Sequence, residues 1–183
     1  MGFVTLCFAT LLFLFIFQYR LTHATYENYL RLSNLSQSQN VSKEIKDIAH
    51  DFSRLRKNFQ IVNIFGNNPF VSHEKIATAD AIIDGGTRIA FGMEKGYHLA
   101  SELVEAFRDT QEITPLLEKR RRTIESISKH FHKAHDAYES IDSSSLDDLR
   151  LEAIFEEKRM QLQQASRVLA SITDNYELFL NTL

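Results

Sequence analysis

Apolar residues return at steps of three and four through four long stretches of this chain. The central stretch reads Ile76, Ala79, Ile83, Gly86, Ala90, Met93, Tyr97, Ala100, Val104, Phe107. That alternation is the period of a helix seam packed along other helices. A second apolar row, Ile82, Ile89, Gly92, Gly96, Leu99 and Leu103, runs beside it. A helix apolar over so much of its girth needs neighbours on several sides, and the chain supplies three more stretches of matching period. One is Val41, Ile45, Ile48, Phe52, Leu55, Phe59, Val62. Another is Leu117, Ile124, Ile127, Phe131, Ala134, Tyr138, Ile141. The last is Leu151, Phe155, Leu162, Ala165, Leu169, Ile172, Tyr176, Phe179, Leu183, with only Lys158 interrupting the seam.

Stop and start signals divide these stretches. Gly66-Asn67-Asn68-Pro69 ends the first, and Ser72 is placed to cap the second. Thr114-Pro115 is an N-cap followed by a first-turn proline. Ser145 and Asp148 make a box-like start after Ser143-Ser144. The predicted helices are therefore 41–65, 72–112, 115–142 and 145–182. Asp84-Gly85-Gly86-Thr87 is the one internal challenge, since two glycines cost about 2 kcal/mol relative to alanines in a helix interior. The apolar phase passes through Gly86 without slipping, so the segment reads as a continuous or kinked helix. Gly85, Gly92 and Gly96 then form a small-residue groove for close helix packing.

Short connections make consecutive helices antiparallel. The expected fold is all-α: an elongated up-down-up-down four-helix bundle over residues 41–183, preceded by an N-terminal hydrophobic helix. Because the third helix is shorter than its neighbours, the longer ones should project beyond it and expose apolar seam, and a partner is expected there. Residues 25–40 read as a short helix, carrying Tyr26, Tyr29, Leu30 and Leu32, and then a polar spacer.

Residues Met1 to Phe17 carry no charge, and Thr22 and Ala24 occupy the small positions of a cleavage site. Residues 1–24 read as a signal peptide cleaved after Ala24, or as an uncleaved single-pass membrane anchor. Either places the chain in a secretory route, secreted or held on the extracytoplasmic side of a membrane. Two Asn-x-Ser sequons follow, at Asn34 and Asn40, and are candidate glycosylation sites.

Composition adds constraints. Two prolines and six glycines in 183 residues suit long helices better than a turn-rich sandwich. The net charge of −3 gives no electrostatic case for nucleic acid. Cys7 is the single cysteine, so no intrachain disulfide and no Cys-ligated zinc can form. Stability must come from buried apolar area.

Candidate chemistry is sparse. A di-metal bundle site needs Glu and Glu-x-x-His groups pointing inward from several helices. Asp47 and His50 have the spacing, and Glu94, His98 and Glu102 share a face, but these residues flank the seam and the set is incomplete. Of His130, His132 and His135, only the last two share a helix side. Lys119-Arg120-Arg121-Arg122 is the one basic block, balanced by Glu118 and Glu125 nearby. No catalytic motif, cofactor or metal site is nominated. The reading is a non-enzymatic helical bundle acting by protein–protein contact or self-association through helix faces. The alternatives are an apolipoprotein-like lipid carrier, whose helices open onto lipid, and a bundle metal oxidase.

Overall fold

The structure, a computed structural model, describes residues 20, 23–32, 34–35, 40–64, 73–109, 113–141 and 149–175. The helical stretch 23–32 is α1. It is followed by α2 (Val41–Ile64), α3 (His73–Arg108), α4 (Ile113–Glu139) and α5 (Leu149–Asp174). Every described element is a helix, and the five pack against one another. The extended contacts are sequential: α2 lies on α3, α3 on α4, and α4 on α5. Where four core helices were expected, α1 adds a fifth: Tyr29, Leu32 and Leu35, at and just beyond its end, are buried with the rest.

The 3-4 period explains what is inside. Ile45, Ile48, Phe52, Leu55 and Phe59 of α2 are all buried, with Ile48 and Phe52 fully so. Leu117, Ile124, Ile127, Ala134 and Tyr138 form the buried stripe of α4. In α5, Phe155 and Leu162 are buried. A side chain of this size, removed from water, contributes about 1.5–3 kcal/mol. The stripes together offset the chain entropy that a cysteine-poor fold cannot reduce by cross-linking.

Asn40 is the N-cap of α2. Its side-chain Oδ1 accepts from the Lys43 amide at 3.1 Å, which satisfies one of the orphan donors of the first turn. Pro115 sits in the first turn of α4, where a missing N–H costs nothing, although the helix opens two residues earlier, at Ile113. The expected caps at Ser72 and Ser145, and the stop at Gly66-Asn67-Asn68-Pro69, lie outside the described residues.

α3 is continuous through Asp84-Gly85-Gly86-Thr87. Both glycines are required by close approach. A Cβ on Gly85 would collide with the Tyr138 ring of α4. One on Gly86 would collide with the Phe52 ring of α2 and the Tyr29 hydroxyl of α1. The helix-propensity penalty is thus offset by rings lying directly on backbone.

These contacts also fix direction and register. Tyr138 meets Gly85 and Phe131 meets Gly92, so α3 and α4 run in opposite directions. Phe52 meets Gly86, and Val41 begins α2 eleven residues before Phe52. Eleven residues after Gly86 is Tyr97. Beyond that level α3 continues to Arg108, but α2 has ended.

Candidate functional site

At the centre, the Tyr29 hydroxyl donates to the Ile82 carbonyl at 2.8 Å and also meets the Tyr138 hydroxyl. The Tyr29 ring stands edge-on to Phe52 at 5.2 Å, and Tyr138 packs on Phe155 at 5.0 Å between ring centroids. Five helices converge on this pair. Burial pushes both phenols well above their ordinary range. With each hydroxyl partnered and both rings buried, the pair fastens the core.

Polar cross-links surround the core. Arg31 of α1 reaches Glu44 at 2.6 Å and Asp51 at 2.7 Å on α2. Burial works against its charge, but the two carboxylates outweigh it and hold the guanidinium more firmly protonated than usual. Asp84 of α3 takes Arg56 of α2 at 2.7 Å and its own Arg88 at 2.6 Å. Arg120 grips Glu102 with two bonds of 2.7 Å, and Arg121 pairs with Glu125 at 3.2 Å. Half of the basic block is therefore engaged, one arginine across the α3–α4 interface and one along α4.

Lys95 Nζ donates to Ser126 Oγ at 2.7 Å and lies 3.4 Å from His130 Nε2. Burial, with Lys95, Arg88, Lys133 and Lys129 nearby, lowers the His130 pKa. His132 and His135 instead turn to Asp136, at 3.7 and 3.9 Å, and His135 also approaches Glu139 at 3.6 Å. The sequence signal missed Lys95–Ser126 because neither residue belongs to a motif and they come from different helices.

Among the described residues, no three His, Cys, Asp or Glu side chains converge to hold a metal. Asp47 and His50 are exposed on α2, His98 is exposed on α3, and Glu102 is taken by Arg120. Among the described residues, two open grooves of about 350 Å³ flank the core. One runs between α1 and α2 beside Arg31 and Asn58, the other between α4 and α5 beside His132 and Ser166. The α4–α5 groove is lined by the hydroxyl residues Ser128, Ser166 and Thr173 together with His132, Glu125 and Asp174, and the Thr173 hydroxyl is turned back to the Leu169 and Ala170 carbonyls of its own helix.

The glycines divide. Gly85 and Gly92 lie against Tyr138 and Phe131, whereas Gly96, grouped with them by spacing, has no atom within 4 Å of where a Cβ would stand. Close packing therefore fails to account for Gly96. Asn34 and Asn40 are both exposed, at the end of α1 and the start of α2. Among the described residues no helix is long and apolar enough to cross a membrane, and the apolar run 1–17 lies outside them.

The clearest departure from the periodic pattern is on distal α3. The seam residues Tyr97, Val104 and Phe107 are 37%, 56% and 65% exposed, and Ala100 between them is exposed too. The other row of the same helix, Leu99 and Leu103, packs on Leu117 and Ile124 of α4. The cause is the register given above. The short member is α2, at 24 residues against 36 for α3, and not the third predicted helix. This uncovered stripe is the candidate interaction site.

No family model matches the chain, and neither a curated protein nor a solved structure matches it.

Proposed function

We propose that this chain is an exported or membrane-anchored, non-enzymatic helical-bundle protein that acts by binding another protein through a helix face. The bundle is read as an up-down-up-down arrangement of α2 to α5, with α1 tucked against it. The observation that carries the reading is the three-turn apolar stripe Tyr97, Ala100, Val104, Phe107, left open where α2 stops. A contiguous exposed apolar strip beside a well-packed core marks an interaction surface more often than chance exposure. Export is supported by the uncharged run Met1 to Phe17 and by the exposure of both sequon asparagines.

Two measurements test this. Mass analysis of the protein from its natural source should find a start at Thr25, or an intact apolar N-terminus in the membrane fraction, with N-glycan on Asn34 or Asn40. Recovery from the cytosol with Met1 retained and both asparagines bare would overturn the export reading. Circular dichroism with phosphatidylcholine and phosphatidylserine vesicles addresses the surface. Unchanged helicity and no vesicle binding are expected, while opening of the helices onto lipid would replace the interaction reading with the lipid-carrier one.

A further inference from the structure

The same stripe has a symmetry that bears on what covers it. Its apolar positions, at 97, 100, 104 and 107, are spaced 3-4-3 and read the same in both directions. Glu94 and Arg108 each stand seven residues from Ser101, so on a helix all three lie along one flank of the stripe. Neither Glu94 nor Arg108 makes an ion pair among the described residues, whereas Glu102, between them on α3, is engaged by Arg120 of α4.

We propose that this face docks a second copy of the chain, the two α3 helices packing antiparallel about the level of Ser101. In that arrangement Tyr97 packs near Phe107 of the second copy, and Ala100 near its Val104. Each Arg108 then faces a Glu94, twice, because the pairing is isologous. The C-terminal end of the second α3 abuts the N-terminus of α2 at Val41, so helix ends of opposite partial charge meet. The second copy takes up the seam where α2 leaves it.

This inference rests on the interaction reading above and names its partner. A lipid surface fits less well, because lipid-facing helices carry basic flanks, whereas Glu94 and Glu105 share this region with Arg108. The strip is about 16 Å long and one helix wide. It therefore buries less than the ~800 Å² per partner of a standard interface, and the dimer forms at micromolar rather than nanomolar concentration. Asn40 lies at the junction of α2 with the second α3, so a glycan there opposes pairing.

The test uses the full chain, made in a host that does not N-glycosylate, and sedimentation equilibrium from about 1 to 500 µM at low ionic strength. A concentration-dependent dimer is expected. Phe107→Lys with Val104→Lys should weaken it at least tenfold with helicity unchanged, since both side chains face solvent in the single copy. Glu94→Arg and Arg108→Glu should each weaken it several-fold, and the two combined should restore it to within about twofold. In a Cys7→Ser background, Ser101→Cys should give a disulfide-linked dimer under mild oxidation. A chain monomeric at every concentration overturns the proposal, as does a dimer indifferent to positions 104 and 107, or a charge exchange that fails to rescue. A monomer that binds a different protein through Phe107 removes the second copy and leaves the broader interaction reading standing.

Discussion

The hydroxyls of Tyr29 and Tyr138 meet at the centre of the fold, 109 residues apart in sequence. Tyr29 also holds the Ile82 carbonyl of α3, so one side chain from a short N-terminal helix ties α1 to both α3 and α4.

The two tyrosines should respond unequally to loss of the hydroxyl. Tyr29→Phe strands the Tyr138 hydroxyl and removes the side-chain donor to the Ile82 carbonyl, and should cost about 2–3 kcal/mol. Tyr138→Phe leaves Tyr29 bonded to Ile82, and should cost about 1 kcal/mol. Urea unfolding of both single variants and the double checks this. The double should cost no more than Tyr29→Phe alone, because the bond between the rings is counted once.

The glycines of α3 should separate by what faces them. Gly85→Ala drives a methyl into Tyr138, which is fully buried and has nowhere to go, so a loss of about 2–3 kcal/mol is expected. At Gly92 the nearest atom is Phe131 Cε2 at 2.8 Å, on a half-buried ring that can shift. Gly92→Ala should therefore fall near neutral, crowding against helix propensity. Gly96→Ala meets nothing and should gain up to about 1 kcal/mol. Thermal melts of the three variants would show that order; a destabilised Gly96→Ala would contradict it.

Much of the fold was legible because helix period is local. The α2 stripe from Ile45 to Phe59 is buried as its spacing requires. Periodicity also carried α3 correctly through Gly85 and Gly86. What it could not convey is whether anything lies opposite an apolar stripe. Tyr97, Val104 and Phe107 keep the phase of Ile83 and Ala90, yet only the latter pair has α2 beside it. Tyr29 was visible only as part of a short helix, because its partners Phe52, Ile82 and Tyr138 belong to three distant segments. Spacing alone grouped Gly96 with Gly85, and the ring that distinguishes them comes from α4.

His130 gives the fold a pH dependence. Its pKa is lowered in the folded state, by burial first and then by Lys95 and the neighbouring cations. Folding therefore favours the neutral ring, and the unfolded chain binds the extra proton. The contribution is complete above the unfolded value of about 6.5 and is lost as pH falls from there through the folded value. His130→Gln should flatten this part of the melting temperature profile between pH 7 and pH 5 relative to the parent. An unchanged slope would mean that another group carries it.

Around Asp84 one carboxylate serves two guanidinium groups. Its carboxylate is 17% exposed and faces Arg56 from α2 and Arg88 from its own helix, at 2.7 and 2.6 Å. Asp84→Asn keeps the shape but leaves two guanidinium groups around a neutral amide. Removing one partner of a fully buried ion pair costs about 3–5 kcal/mol. Both arginines here are partly solvated, so the expected loss is nearer 1–2 kcal/mol. Adding Arg56→Met to Asp84→Asn removes the stranded cation on α2 and should recover part of that loss, since the methionine can pack where the arginine stem lay. Urea titrations with unchanged m-values would establish that stability, rather than compactness, has moved. A double variant less stable than the sum of its parts would show that Arg56 holds α2 through contacts other than Asp84.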